Sequence, residues 1–180
     1  MRSAAYLGVA VLLVLLQSNL FRILGPLGAL VGDRVIHGAT PSLLLPMVVF
    51  LGVYEHSMAK GASLAFAMGY MLDVLAAAPI GLFAFVHVAI WWLSRVAGVR
   101  LTAQTWFTRV SLGFVFALVQ SAIVLIVLAV FGTDNRRPVG MATVVLGNAV
   151  STALLSPGLF MLAQRLRQGG VARAPTEGAT

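Results

Sequence analysis

The chain has 180 residues, 60% of them hydrophobic and 9% charged, with a mean hydropathy of +0.99, a net charge of +7 and no cysteine. This balance excludes an ordinary water-soluble domain, which needs more polar surface than these side chains supply. It also excludes disulfide and thiol chemistry, and in so apolar a chain the excess of arginine records membrane topology rather than contact with nucleic acid.

The apolar runs are long enough to cross ~30 Å of hydrocarbon as helices. They lack the alternation of a membrane barrel. The sequence therefore predicts an all-α, polytopic membrane protein with six transmembrane helices. The first span runs from about Ala4 to Leu24, a retained helix rather than a cleaved signal. A Gly-rich link over 25–39 follows, with Gly25, Pro26 and Gly28 read as turn residues. The second span opens at Thr40-Pro41, as N-cap and first helical residue, and ends near Tyr54. Pro46 is expected to bend it. A polar turn leads to the third span, about Gly61 to Ala78, and Pro79-Ile80-Gly81 reverses the chain. The fourth covers about 82–97, the fifth 108–131 and the sixth 140–166, with a bend expected at Pro157, which has no N–H for the carbonyl of Ala153. Residues 1–166 form one six-helix domain, and 167–180, rich in small and polar residues, reads as a disordered cytoplasmic tail.

Orientation follows from the basic residues. With the N-terminus inside, Arg2, Lys60, Arg95, Arg100, Arg109, Arg165, Arg167 and Arg173 fall on one side, and Arg22, Arg34, Arg136 and Arg137 on the other. The bias places both termini in the cytoplasm.

Asp73 is the one carboxylate well inside an apolar run. At ~100° per residue it shares an arc of about 80° with Ala62, Ala65, Gly69 and Ala76. Small residues mark where membrane helices approach closely, so Asp73 is expected to face the bundle, away from lipid. The sixth span carries a similar stripe of Gly140, Thr143, Gly147, Ser151 and Gly158. Counting ~1.5 Å per residue puts Gln17, Asn19, Asp73, His87, Gln120 and Asn148 at one depth in the outer half. Two readings of that cluster stand. In one, the groups hydrogen-bond each other and fix helix packing; in the other, they line a polar pocket for a ligand or a partner helix.

The chemistry of catalysis is not evident. His37, His56 and His87 lie in separate segments without metal-ligand spacing, and Glu55-His56 lacks the second histidine of a zinc-protease helix. No Gly-rich phosphate loop with lysine is present. The expectation is a non-enzymatic protein with no catalytic residue, metal or cofactor. Met residues and Trp91-Trp92 read as packing and lipid contacts.

The run Gly69-x-x-x-Asp73, followed by Pro79-x-Gly81, resembles the central signature of the rod shape-determining protein MreD family. The preceding segment from Thr40 to Glu55 is similar to that family's second span. Ala76-Ala77-Ala78 stand where many members carry Ser, Gly or Asn, which removes local hydrogen-bond partners from Asp73. The resemblance implies a fold like the substrate-binding subunits of energy-coupling-factor transporters and residence in the bacterial cytoplasmic (inner) membrane. It implies a scaffold role in cell elongation and peptidoglycan synthesis. The partner would be an MreC-like single-span periplasmic protein, with indirect links to RodA, a class B penicillin-binding transpeptidase and MreB. Membrane lipid and a second copy of the chain are further candidate partners. A transporter substrate-binding subunit is the alternative. Such subunits often dock through Ala-x-x-x-Ala on the first helix, where this chain has Ala5-x-x-x-Val9.

Overall fold

The computed structural model describes residues 2–31, 40–55, 57–75, 80–96, 106–131 and 142–169. They form six helices: α1 (Arg2–Val31), α2 (Leu44–Tyr54), α3 (Met58–Leu75), α4 (Leu82–Val96), α5 (Trp106–Phe131) and α6 (Ala142–Gly169). Pro79, Ala76, Gly140, His37, His56 and the tail from 170 onward lie outside the described residues.

The boundaries of α4, α5 and α6 fall within a few residues of those expected. Three expectations are corrected. First, α1 does not end at Leu24 but continues through Gly25 and Pro26 to Val31. Apolar residues on both sides propagate the helix past the single N–H that proline removes. Second, Thr40-Pro41 does not open α2. The helix begins at Leu44, and its N-cap, Leu43, makes no side-chain cap hydrogen bond. Third, Pro46 therefore occupies the first turn of α2, where backbone N–H groups have no intrahelical acceptor, and it removes no helical hydrogen bond.

Helix α2 is the axis of the bundle. It touches all five other helices, and every residue from Leu44 to Gly52 is buried. At 11 residues it spans about 16 Å, roughly half the hydrocarbon thickness of a bilayer. The other helices wrap it, with α3 against α4 and α5 against α6 as the most extensive pairs.

Successive helices run in opposite directions. The Tyr6 hydroxyl near the start of α1 donates to the carbonyl of Ala163 near the end of α6, at 3.4 Å. The Arg109 guanidinium at the start of α5 donates to Gln164 Oε1 at 3.5 Å. Arg167 stacks over the Tyr54 ring at the end of α2, 5.3 Å from its centroid. Arg95, closing α4, donates to the carbonyl of Glu55 at 2.6 Å. Lys60, Arg95, Arg109, Arg165 and Arg167 thus gather at one end of the bundle.

The outer surface is apolar. Only 22% of the apolar window of α5 (Trp106–Val127) and 39% of that of α6 (Val144–Gln168) is buried inside the protein. Both helices are long and apolar enough to cross a membrane; residues 4–20 of α1, together with α2 and α4, form shorter apolar helices. Large side chains such as Phe66, Phe85, Trp92, Phe107, Val115 and Leu154 lie more than half exposed.

Candidate functional site

Two polar centres are built into the bundle. The first surrounds Asp73, which is 2% exposed. Its Oδ2 accepts from the N–H groups of Gly81 and Ala84, each at 3.0 Å, and its Oδ1 accepts from the N–H of Phe83 at 2.7 Å. These are backbone donors at the N-terminus of α4, which would otherwise lack acceptors. An N-cap residue usually supplies the oxygen itself. Here that position is Gly81, which has no side chain, and a carboxyl group from the preceding helix takes its place. The positive end of the α4 dipole adds to the attraction.

The surrounding glycines make this joint feasible. Gly69 lies one turn before Asp73 on the same face of α3. A Cβ there would fall 2.6 Å from Ala84 Cα and 2.8 Å from Ala84 N, and would also strike the carbonyl oxygen of Phe83. Those obstacles are backbone, so they cannot swing away. Gly81 has φ +96°, a conformation that L side chains rarely adopt. It aims its N–H back at Asp73. Gly69, Asp73 and Gly81 are thus one device: close approach, cap and turn.

This corrects two expectations. The partners of Asp73 are not Gln17, Asn19 or Gln120, and the alanines after it do not leave it short of donors, because the backbone of α4 supplies three. The carboxyl group sits about 22 Å along α3 from Met58, in the half of the bundle away from the basic end, as expected, but it does not bond the other polar residues placed at that depth.

His87, fully buried, also stays apart from the cluster. Its Nδ1 lies 2.8 Å from the carbonyl of Phe83, one turn earlier in α4. A carbonyl only accepts, so Nδ1 carries the hydrogen. Nε2, like the indole Nε1 of Trp91, is buried without a partner among the described residues.

The second centre is the chain entering α2. The N–H of Leu43 donates to Gln17 Oε1 from α1 at 3.1 Å. The N–H of Ser42 donates to Thr152 Oγ1 from α6 at 2.9 Å. Ser42 Oγ and the amide of Gln120 from α5 lie 3.4 Å apart, and Asn148 Nδ2 donates to the carbonyl of Thr40 at 2.6 Å. Helices α1 and α6 thus supply the partners that a non-helical backbone needs inside an apolar bundle, and α5 adds a side-chain contact to Ser42. The level is shared. Starting from Tyr6, Tyr54, Arg109 and Ala163 at the basic end, eleven positions along each element reach Gln17, Leu43, Gln120 and Thr152, about 16 Å inward.

Of the six polar residues expected at one depth, Gln17, Gln120 and Asn148 converge here. Asn19 does not: it is exposed, and its Nδ2 donates to the carbonyl of Leu15 at 2.9 Å. Sequence reasoning missed Ser42 and Thr152. Thr152 was marked by its place one turn beyond Asn148, level with Gln120.

The packing faces are settled by the same geometry. Ala65, Gly69 and Asp73 are buried and Ala62 half-buried, as expected for α3. On α6, Gly147 and Ser151 are half-buried like Ala62, and Gly158, expected on the same stripe, is exposed. The buried stripe is Ala149, Thr152, Ala153, Ser156, Phe160 and Ala163. It meets α5 at Gly113, where a Cβ would fall 2.6 Å from Ser156 Oγ. The Ser156 hydroxyl lies 2.7 Å from the carbonyl of Ala153, the group that Pro157 leaves unbonded, and 2.8 Å from that of Arg109. The proline is thereby accommodated inside an unbroken α6.

No family model matches the chain, and neither curated proteins nor solved structures yield a match.

Proposed function

We propose that the chain is a six-span integral membrane scaffold of the bacterial cell-elongation complex. In this reading both termini face the cytoplasm, and the protein binds an MreC-like single-span partner without catalysing a reaction. The observation that carries the reading is the Asp73 joint. Every residue of the motif that prompts the resemblance and lies among the described residues, Gly69, Asp73 and Gly81, has an architectural role in holding α3 to α4. With both carboxyl oxygens engaged by backbone N–H groups, Asp73 is placed to secure a fold rather than to bind a cation or pass a proton. The sparsely buried apolar faces of α5 and α6 support the membrane setting, since a soluble core helix is mostly covered. The basic cluster at one end supports the orientation. RodA, the transpeptidase and MreB would be reached indirectly, through the partner.

The test is co-purification from rod-shaped bacteria. Tagged protein, extracted in mild detergent, is expected to bring down a single-span periplasmic coiled-coil protein, and its depletion is expected to round the cells. Normal rods on depletion would refute the scaffold role.

One observation favours a second reading, the substrate-binding subunit of a vitamin transporter. The half-length α2 starts at mid-bundle among Gln17, Gln120, Asn148 and Thr152, the placement from which broken helices hold small molecules in transporters. Co-purification of an ATPase pair, with a vitamin retained in the bundle, would decide for it.

A further inference from the structure

The outward face of α1 carries an amide, Asn19, among small and apolar residues. Ala4, Ala5, Gly8, Leu12, Leu15, Leu16, Ser18 and Asn19 are exposed. Gly8 and Asn19 stand eleven positions apart, just over three whole turns, and so lie within about 20° of each other at the centre of that face. A Cβ on Gly8 would meet nothing within 4 Å, so its missing side chain is not required by any neighbour among the described residues. Asn19 lies about 19 Å along α1 from the level of Tyr6, at membrane depth in the proposed arrangement. Outward positions on other helices carry apolar side chains such as Phe66, Val115, Val150 and Leu154. One amide hydrogen of Asn19 has the carbonyl of Leu15; its other hydrogen and its oxygen have no partner among the described residues. An amide facing hydrocarbon half-bonded is costly, and helices that carry one associate through it.

We infer that this face docks against α1 of a second copy of the chain, with the Asn19 amides paired across the contact and Gly8 allowing the backbones to close. The occupant follows from complementarity. An asparagine amide offers one donor and one acceptor, so it matches its own image. Two copies inserted in one membrane have the same orientation, so their α1 helices run parallel. A two-fold axis along the membrane normal then sets equivalent residues level, which places Asn19 opposite its counterpart and Gly8 opposite its own. The inference rests on the membrane reading above.

The chain has no cysteine, so a single introduced thiol reports the contact cleanly. Full-length Gly8→Cys, in carbonate-washed native membranes, is oxidised and the disulfide dimer quantified. A dimer is expected from Gly8→Cys but not from Trp92→Cys, on the outer surface of α4. Adding Asn19→Leu is expected to lower the yield about fivefold or more, and Asn19→Gln, which keeps the amide, to retain it. Equal yield with Asn19→Leu, or equal dimer from Trp92→Cys, would overturn the inference. So would loss of a single-span partner in Asn19→Leu with no Gly8→Cys dimer, which would assign the face to that partner. Release of the protein by carbonate would instead refute the membrane reading itself.

Discussion

Replacing Asp73 separates an architectural carboxyl group from a reactive one, and the bond geometry sets the scale. Asp73→Leu removes the acceptors of three N–H groups, those of Gly81, Phe83 and Ala84, at a buried or partly buried interface. A stranded buried donor costs about 1–3 kcal/mol, and the loss of favourable charge at a helix N-terminus about 0.3–2 more. The three donors share one group and are not additive, so the total is roughly 3–6 kcal/mol. Asp73→Asn is the informative variant. If its oxygen takes the place of Oδ2, it keeps the bonds to Gly81 and Ala84. Its NH2 then faces the Phe83 N–H, donor against donor, at the shortest of the three contacts. The expected cost is about 1–3 kcal/mol. The order of stability is therefore wild type, then Asn, then Leu. Thermal unfolding in detergent at matched expression should show melting points lowered by roughly 2–10 °C for Asn and more for Leu. Partner co-purification should fall in proportion to the folded fraction. Wild-type stability in Asp73→Leu would refute the capping account. Full stability with complete loss of function in both variants would assign the carboxyl group a chemical role instead.

Four further outcomes follow from named contacts. Gly69→Leu is expected to lose folding or assembly, at a cost of at least about 1–3 kcal/mol, because its side chain would meet the Ala84 backbone; Met71→Leu, at a half-buried position, should behave as wild type in the same melting assay. Gly81→Ala should cost about 1–2 kcal/mol through backbone strain alone, since nothing crowds its Cβ. Thr152→Val strands the Ser42 N–H and should cost about 1–3 kcal/mol, whereas Gln120→Leu gives up only a 3.4 Å contact and should lower the melting point less. Reporter fusions after Arg100 and at the C-terminus should read cytoplasm and those near Asp33 and Asn135 outside; a cytoplasmic signal at Asn135 would refute the proposed six-span topology.

How much of this was legible depended on which groups carry the signal. The ends of α5 could be placed because polar residues flank its apolar run on both sides, and the start of α4 because Pro79 and Gly81 break the run before it. The end of α1 could not, because Gly25-Pro26 has the same letters in a turn and in an apolar helix that runs through it. Pro46 reads as a kink only while the start of α2 is set too early; three residues of shift put it in the first turn. The burial of Asp73 followed from the small residues on its face. Its partners did not, because backbone N–H groups carry no side-chain signature. The level shared by Gln17, Gln120 and Asn148 was readable from helical rise alone, but their target was not. They bond the segment from Thr40 to Leu43, whose need appears only once α2 is known to begin late.

Taken together, the two interior centres constrain where recognition can occur. Near one end, the Asp73 oxygens hold the start of α4; at mid-bundle, Gln17, Thr152 and Asn148 hold the entry to α2. Each is tied to backbone that would otherwise be unsatisfied in an apolar interior, so diverting it to a ligand carries the cost of an exposed peptide group. A partner that binds without that cost must use the outer faces. In the proposed membrane setting, apolar side chains on those faces would contact lipid and a helix equally well, so they give little specificity. Specificity in such a surface comes from an unsatisfied polar group beside a place where backbones can close. Asn19 in line with Gly8 supplies that pairing on α1, so in the proposed assembly the first helix, rather than the interior polar residues, carries the specificity.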